Sequence, residues 1–192
     1  MVSGPSGSGK TTLCRRLADE GEAVYATSAT TRAPRPGERD GHDYHFLDRD
    51  DFLAKVDEGE FVEFAEVHGN YYGTLKSEVL SHLRQGTDVV MDIDVQGATI
   101  IRGTTDAEIQ QALAELFVMP PTEEELKARL TGRGTDSDEV IALRLKNAVE
   151  EMRHWPNYSH LLISHTREED YARFKALLSS ERMRVCRISK TV

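Results

Sequence analysis

Four runs of consecutive apolar residues divide the chain, and segments with helical periodicity lie between them. The apolar residues do not alternate with polar ones, so the runs predict strands buried on both faces of a sheet. They occupy residues 24–27, 88–92, 116–119 and 160–164. Apolar spacing and a capping signature at Thr122 predict helices over residues 10–19, from 122 onward, 138–154 and 168–180. This alternation indicates an α/β fold, in which helices cover a parallel sheet.

Two segments interrupt the alternation. Residues 28–86 are rich in Gly, Pro, His and aromatic residues, which predicts an inserted β-rich subdomain with helices near 51–57 and 76–84. Residues 131–138 are polar and glycine-rich, as expected of a mobile lid. We therefore expect one domain with three parts. They are a core of residues 1–27, 87–121 and 155–192, the inserted subdomain at 28–86, and the lid with its helix at 122–154.

Length and charge narrow the possible functions. The 192 residues suit one domain, and 24 Lys and Arg against 33 Asp and Glu give a formal net charge of −9. This charge argues against general nucleic-acid binding, but it allows a local arginine pocket for a small anion. No apolar run approaches the ~18 residues that cross a bilayer, and no signal-peptide pattern is visible, so no membrane partner is expected. Cys14 and Cys186 lie far apart, which predicts free thiols and a cytoplasmic location.

The first chemical motif is a phosphate-binding loop. It reads Gly4-Pro5-Ser6-Gly7-Ser8-Gly9-Lys10-Thr11, matching G-x-x-x-x-G-K-[ST], and Thr12 follows. Its glycines let backbone N–H groups turn onto phosphate oxygens, and the helix beginning here directs its positive end at the same anions. Lys10 would reach the β- and γ-phosphates, and the Thr11 hydroxyl would ligate Mg²⁺. A chance Gly/Ser-rich loop is the alternative, and a full match directly before a helix argues against it.

Two features flank this motif. A P-loop normally follows a buried strand, yet only Met1, Val2 and Ser3 precede Gly4. Two explanations of this short lead stay open. The strand before the P-loop is reduced to a stub, or residues upstream of Met1 are missing. Farther along, Asp92 ends a buried apolar run, where a carboxylate can bind Mg²⁺ through water. Ordinary capping of the strand end by aspartate is the alternative.

A second group of residues suits another phosphate. Arg32 and Arg35, with Tyr44 nearby, could fork onto a phosphate group, although a solvated basic loop would show the same spacing. Tyr71 and Tyr72 lie in a glycine-rich turn that suits a phosphate or a sugar. Packing within a strand is the alternative for these two tyrosines, and we expect one of them to pack.

Five segments, in this order along the chain, closely resemble guanylate kinases of the single-domain bacterial type. They lie at 4–12, 28–44, 60–74, 92–97 and 129–145. The resemblance implies a P-loop kinase fold with a five-stranded parallel core sheet flanked by helices, an inserted GMP-binding subdomain and a small lid. It also implies transfer of the γ-phosphoryl group of ATP to GMP with Mg²⁺, within purine nucleotide metabolism. GMP and ATP are therefore the expected partners, and no nucleic acid is expected.

The resemblance also implies residue roles. The catalytic residues would be Lys10, Arg35, Arg133 and Arg144. ATP would be bound by Gly4, Pro5, Ser6, Gly7, Ser8, Gly9, Lys10, Thr11 and Thr12. The GMP phosphate would be held by Arg32, Arg35, Tyr44 and Tyr72, and the guanine by Ser28, Glu63, Thr74 and Asp94, with Glu38 also in this site. Mg²⁺ would be bound by Thr11 directly and by Asp92 through water. Arg129 matches a third lid arginine, and a solvent-facing helix charge is the alternative for Arg144.

The implied base contacts are chemically consistent. Guanine presents donors at N1 and N2, which carboxylates accept, and an acceptor at O6, which hydroxyls satisfy. Adenine would leave Ser28, Glu63 and Thr74 poorly paired. The chain departs from the family after the last strand, where Ser164 and His165 replace an Asn-Asp pair near the adenosine of ATP.

Two other functions compete with this one. Guanylate-kinase-like domains of scaffold proteins bind protein partners without catalysis, and Lys10, Thr11, Arg133 and Arg144 argue against that class here. The other alternative is a kinase for a different nucleoside monophosphate. The hydroxyl and carboxylate set at Ser28, Glu63 and Thr74 favours guanine.

Overall fold

The computed structural model describes residues 1–67, 69–131 and 138–187. The strands are β1 Val2–Ser3, β2 Val24–Tyr25, β3 Ala29–Thr30, β4 His45–Phe46, β5 Phe61–Val67, β6 Asn70–Leu75, β7 Val89–Val90, β8 Leu116–Met119 and β9 His160–Ile163. The α-helices are α1 Lys10–Asp19, α2 Arg49–Asp57, α3 Lys76–Leu83, α4 Val95–Arg102, α5 Ala107–Ala112, α6 Glu123–Thr131, α7 Asp138–Met152 and α8 Arg167–Arg182. Short 3₁₀ turns lie at Trp155–Asn157 and Val185–Arg187. Most of the predicted lid, residues 132–137, lies outside the described residues.

Parallel strands form the part of the fold that carries the P-loop. β1, β8 and β9 pair in parallel in the order β1-β8-β9, and β2 pairs in parallel with β7. The chain just after β7 also pairs with β1, because Val2 N–H donates to Met91 O at 2.8 Å and Ile93 N–H to Val2 O at 3.1 Å. Parallel strands end at the same edge of a sheet. The loop after β1 and the acidic segment after β7 therefore emerge side by side.

All four apolar runs contain strands, as predicted, although the runs at 24–27 and 88–92 yield only two paired residues each. β1 is a two-residue strand, and both of its residues are buried. Two helices escape the sequence analysis. α4 is eight residues long and includes Gly97, and α5 has six residues, so neither gives a sustained helical pattern.

Helices cover the parallel strands on two sides. Leu13 and Leu17 of α1 and Phe174 of α8 belong to one buried cluster, together with Val2 and Val118 of the strands. A second cluster contains Ile101 of α4, Ile109 of α5 and Val79 of α3. Apolar residues on α6 and α7 make a smaller cluster of their own, with Leu126, Leu130 and Ala148 buried. The face that was predicted for the helix at 138–154 thus lies against α6.

A second, mixed sheet has the strand order β4-β3-β6-β5. β5 and β6 form an antiparallel pair, β6 pairs antiparallel with β3, and β3 pairs in parallel with β4. α2 packs on this sheet through Phe52, which is fully buried and stacks on Phe61 at 4.4 Å and on Tyr71 at 5.4 Å between ring centroids. The segment predicted to be a β-rich insertion therefore has its own small apolar core.

Within the described ranges, no helix combines the length and the apolar character that crossing a membrane requires.

Phe52→Ala tests the core of the mixed sheet. We expect the free energy of unfolding to fall by about 3–5 kcal/mol, because the change removes a buried ring from between two aromatic neighbours. Urea unfolding measures this loss. Leu143→Ala on α7 is the control: its side chain is 53 % exposed, so we expect a change within about 0.5 kcal/mol. Equal losses in the two variants would contradict the assignment of Phe52 to a core.

Candidate functional site

The loop after β1 has the backbone of an anion cradle. Gly4, Gly7 and Gly9 have backbone φ values of +141°, +89° and +97°, which residues other than glycine rarely adopt. A Cβ at Gly4 would lie 2.1 Å from the Val118 carbonyl oxygen of β8, so only glycine allows this loop to sit so close to the sheet. α1 begins at Lys10, directly after Gly9. The N-terminal end of a ten-residue helix therefore faces the loop.

Two side chains at the start of α1 face the site. The Lys10 ammonium donates to the carbonyl oxygens of Gly4 at 2.6 Å and of Pro5 at 3.0 Å. The Thr11 hydroxyl donates to an Asp92 carboxylate oxygen across the strand ends. Both side chains lie where the sequence predicted them, next to the loop.

Asp92 and Asp94 follow β7 and play different structural roles. Asp92 contacts Thr11, so it is not simply a strand-end cap. Asp94 is the N-cap of α4, and its carboxylate accepts the Gly97 N–H at 2.8 Å. Both aspartates line the cleft beside the P-loop.

The residues predicted around the GMP phosphate line two adjoining cavities. One cavity is lined by Arg32, Arg35, Tyr44 and Tyr72. Glu38 lines the other, beside the P-loop. Arg32 donates from Nη2 to both carboxylate oxygens of Glu38, at 2.8 and 2.9 Å. The Arg35 N–H donates to Glu38 at 2.7 Å, and this bond, with the Arg32 guanidinium, lowers the pKa of Glu38. Tyr44 and Tyr72 meet edge to face at 6.0 Å between centroids. Glu38, which was predicted in the GMP site, lines the central cavity and holds the Arg32 side chain and the backbone at Arg35 in place.

Tyr71 and Tyr72 point in different directions, as expected for adjacent strand residues. Tyr71 stacks on Phe52 in the core of the mixed sheet, whereas Tyr72 lines a cavity beside Arg32 and Arg35. The expectation that one of the pair packs is confirmed.

Glu63 is a buried carboxyl on the cavity wall that also carries Arg32, Arg35 and Tyr72. It lies on β5 at 7 % exposure and accepts the Thr74 hydroxyl of β6 at 2.8 Å. α4 packs closely on it, since a Cβ at Gly97 would lie 2.7 Å from a Glu63 carboxylate oxygen. Glu63 is thus held between the mixed sheet and a helix of the parallel core.

Burial raises the pKa of Glu63 to about 7, and the negative charge of Asp94 acts in the same direction. Hydrogen bonds from Thr74 oppose this shift, because they favour the ionised form. The carboxyl is therefore set to ionise near neutrality, and a ligand that offers it donors would favour the charged form.

Three cavities meet at the P-loop. The central cavity has a volume of about 570 Å³ and is lined by the P-loop, Asp92, Asp94 and Tyr44. The sheet-side cavity, about 560 Å³, is lined by Arg32, Arg35, Glu63, Tyr72 and Arg144. These two share Ser6, Ser28, Tyr44, Asp92, Ile93, Asp94 and Glu151, so they are parts of one cleft.

The third space, the outer cavity, lies on the other side of the P-loop. It measures about 690 Å³ and is lined by Gly7, Ser8, Gly9, Thr12, Arg129, Ser164 and His165, among others. Arg129 donates to the Ser164 hydroxyl at 3.0 Å, and Ser164 in turn donates to Asp170 at 2.7 Å. Arg129 is therefore directed toward the outer cavity, together with Ser164 and His165.

The structure brings most of the predicted site residues together. The residues that line the two connected cavities are Gly4, Ser6, Gly7, Gly9, Lys10, Thr11, Thr12, Ser28, Arg32, Arg35, Glu38, Tyr44, Glu63, Tyr72, Asp92, Asp94 and Arg144. Of the other P-loop residues, Ser8 lines the outer cavity and Pro5 is buried. Arg144 lies on the cavity wall, so its reading as a charge facing only solvent does not hold. Thr74 lies behind Glu63, to which it is hydrogen bonded. Arg133 falls in the stretch 132–137 and lies outside the described residues.

Four residues with polar side chains line the central cavity but were not among the predicted site residues. Arg15 on α1 stacks over Tyr25 at 5.2 Å and reaches Asp43 at 3.8 Å, and all three line the central cavity. Glu151 lines both parts of the cleft. Helical spacing is the signal that could have found two of them: Arg15 lies one turn after Thr11, and Glu151 two turns after Arg144.

Comparisons with known proteins agree with this arrangement. A sequence model of the guanylate kinase family matches residues 1–181. The guanylate kinase of Alkalilimnicola ehrlichii is 46 % identical over 186 residues, covering 96 % of this chain and 89 % of the relative. That of Cereibacter sphaeroides is 44 % identical over 185 residues, covering 96 % and 86 %, and that of Clostridium tetani 36 % over 192 residues, covering 100 % and 90 %.

A solved structure shares the fold. The crystal structure of guanylate kinase from Anaplasma phagocytophilum superposes with a TM-score of 0.77 at 32 % identity, covering 97 % of this chain and 86 % of that one. The match in sequence extends over nearly the whole chain, and the P-loop, the acidic strand end and the arginine wall all lie within it. This chain belongs to the guanylate kinase family.

Proposed function

We propose that this chain transfers the γ-phosphoryl group of ATP to GMP, giving ADP and GDP, through the cleft between the P-loop and Glu63. The observation that carries the proposal is the continuity of that cleft. A phosphate cradle with Lys10 lines its central part, and a buried carboxylate with a hydroxyl partner lines its sheet-side part. Such a reaction is a step in purine nucleotide metabolism. A cytoplasmic location stays a prediction.

Glu63 and its neighbours are assigned to the guanine base. An ionised Glu63 accepts hydrogen bonds from guanine N1–H and N2–H, and Asp94 supplies a second carboxylate near the same space. Ser28 lies on the same wall, and its hydroxyl suits O6. The Thr74 hydroxyl donates its single proton to Glu63, so we assign Thr74 to orienting that carboxylate beside the base; the O6 contact that the resemblance implies would need this proton to turn from Glu63 to O6. Adenine would place an amino donor where O6 should be.

The arginine wall is assigned to the phosphate of GMP. Arg32 and Arg35 supply positive charge, and Tyr44 and Tyr72 supply hydroxyl donors around the same cavity. Glu38 fixes the Arg32 fork and the backbone at Arg35, which supports a pre-organised anion site. With GMP anchored at both ends, one phosphate oxygen would face the P-loop.

Charge neutralisation and positioning are assigned to cations around the transferred group. Lys10 and the P-loop N–H groups hold the β- and γ-phosphates of ATP, along residues 4–12. Arg35 and Arg144 approach from the sheet-side cavity, and Arg133 is assigned to the same role from its matching sequence position. A GMP phosphate oxygen then attacks the γ-phosphorus, and the bond to the ADP oxygen breaks. No protein nucleophile is needed, because positioning and electrostatics lower the barrier.

Thr11 and Asp92 are assigned to Mg²⁺. Hydroxyl and carboxylate oxygens are the hard donors that this ion prefers, and the two side chains touch beside the P-loop. Mg²⁺, when bound, neutralises negative charge on the β- and γ-phosphates. Thr11 would bind it directly and Asp92 through water.

The remaining assignments concern the core sheet and the three parts of the fold. We assign the five parallel strands to one core sheet in the order β2-β7-β1-β8-β9, supported by the hydrogen bonds of Val2 to Met91 and Ile93. Residues 28–86 form the GMP-binding subdomain, which the separate Phe52 cluster supports. Residues 122–154 form the lid and its helix, and residues 1–27, 87–121 and 155–192 form the core.

The first test is ADP release in a coupled assay with ATP and Mg²⁺, offering GMP, AMP, CMP and UMP in turn. We expect turnover with GMP alone. Lys10→Ala should lower kcat on the order of 10²–10³-fold, because it removes a cation from the transferring phosphate. Lys127→Ala, which removes an exposed lysine on α6, is the control and should leave kcat unchanged. Turnover with another monophosphate would overturn the base assignment, and none in a folded protein would favour a binding module.

The raised pKa of Glu63 predicts a pH dependence of GMP binding. Below a pKa of about 7 the carboxyl is protonated and loses acceptor capacity, so the Kd of GMP should rise several-fold between pH 8 and pH 6. Titration calorimetry measures this. Glu63→Gln should raise the Kd of GMP at pH 8 at least about tenfold.

The same variant also serves as the control for ionisation of the GMP phosphate. Its remaining pH dependence comes from the ligand, so the difference between wild type and Glu63→Gln isolates the carboxyl. Identical pH profiles for the two proteins would remove Glu63 from the base site.

A further inference from the structure

A buried carboxylate lines the outer cavity, and none of the roles assigned above includes it. Asp170, in the first turn of α8, is 5 % exposed, and each of its oxygens accepts a hydrogen bond. The Ser164 hydroxyl donates to one oxygen at 2.7 Å, and the His165 backbone N–H donates to the other at 2.7 Å. Both donors belong to the segment that directly follows β9. Asp170 therefore ties this segment to α8.

The same contacts continue to a cation. Ser164 is buried, and its hydroxyl oxygen accepts from Arg129 Nη1 at 3.0 Å. A hydroxyl carries one proton, an ionised carboxylate only accepts, and a guanidinium only donates. The Ser164 proton must therefore point at Asp170, which leaves the oxygen lone pairs for Arg129. The carboxylate thus determines that Ser164 is an acceptor for the arginine.

Packing on the P-loop places the backbone that carries Arg129. Leu126 and Leu130 of α6 are buried, and a Cβ at Gly7 would lie 3.2 Å from a Leu130 methyl carbon and 3.4 Å from one of Leu126. α6 therefore lies directly against the P-loop, and Arg129 lines the outer cavity together with Gly7. The arginine also donates from Nη2 to Glu125, one turn earlier, at 2.6 Å. Both the base and the tip of this side chain are thus held beside the phosphate cradle.

We propose that Asp170 is a positioning residue, which acts through Ser164 to hold the Arg129 guanidinium toward the phosphates of ATP in the P-loop. The inference rests on the proposed function, in which residues 4–12 hold those phosphates. A guanidinium has five N–H donors, and its contacts with Ser164 and Glu125 use two of them. A side chain that is ordered before the nucleotide arrives loses less conformational entropy on binding it.

The sign of the effect distinguishes this role from simple electrostatics. A carboxylate that acted only through its charge would repel the phosphates, so its removal would strengthen ATP binding. Removal of a positioning residue weakens ATP binding instead.

Asp170→Asn is the test, because it keeps the size of the side chain and replaces one acceptor with a donor. If the new NH₂ group faces the His165 N–H, two donors meet and the segment after β9 loses a tie. If it faces Ser164, it donates to the hydroxyl oxygen, and the Ser164 proton turns toward Arg129, which only donates. Either arrangement disturbs the support of the guanidinium.

We expect the Kd of ATP, measured by calorimetry without GMP, to rise about three- to tenfold, the size of effect expected for one lost hydrogen bond. The Kd of GMP should be unchanged, because the proposed GMP site lies on the other side of the P-loop. Asp50→Asn is the matched control: it makes the same change at an exposed aspartate in the first turn of α2 and should leave both constants unchanged.

A double-mutant cycle with Arg129→Met separates positioning from general damage. Once the guanidinium is gone, Asp170→Asn should change the Kd of ATP by less than about twofold. An equal loss of affinity in both backgrounds would show that the effect does not pass through Arg129, and the proposal would fail. It would fail also if the single variant bound ATP as tightly as wild type or more tightly.

If Asp170→Asn does not fold, Ser164→Ala takes its place. It removes the acceptor of Arg129 while Asp170 keeps its bond from the His165 N–H, and the same cycle and outcomes apply. These measurements need no GMP turnover. A wild type that showed this coupling but did not phosphorylate GMP would overturn the proposed function and leave the role of Asp170 standing. A folded wild type that did not bind ATP would overturn both.

Discussion

The parallel pairing of β1 with the chain after β7 is the constraint on which the site depends. Two backbone hydrogen bonds of Val2 fix this register, to Met91 and from Ile93. They place the first residue of the P-loop and the first aspartate after β7 at the same edge, where Thr11 and Asp92 touch. The glycine at position 4 then lets the loop approach β8 to a distance that no other residue allows. A very short strand therefore determines where the P-loop and the Thr11–Asp92 pair, to which we assign phosphates and Mg²⁺, come together.

The mixed sheet contacts the parallel core where a buried carboxyl packs against a helix. Glu63 comes from the insertion and Gly97 from a helix of the core, and their close approach connects the two parts. Asp94, at the start of the same helix, caps it and also acts on the Glu63 charge. The burial and the charge that raise the pKa of Glu63 thus come from both parts of the fold.

Sequence patterns predicted the strands and helices where the signal is local and strong. Buried apolar runs gave β8 and β9, and apolar spacing gave α1, α7 and α8. α4 and α5 were missed because they are short and because α4 contains Gly97. Glu38 was expected in the GMP site, and it lines the central cavity, where its carboxylate accepts from Arg32 Nη2. The sequence analysis did not predict this ion pair. Such partner choices depend on three-dimensional proximity, which spacing along the chain does not encode.

Glu38 shares the Arg32 guanidinium with the phosphate that we propose to bind there. Both Glu38 carboxylate oxygens accept from Arg32 Nη2, so a phosphate that used this nitrogen would displace an ion pair that the protein already makes. The net free energy of phosphate binding at Nη2 would then be a difference between two ion pairs rather than the full value of one. On the proposed function, this exchange would weaken the hold of the site on its phosphate and so favour release of the phosphorylated product.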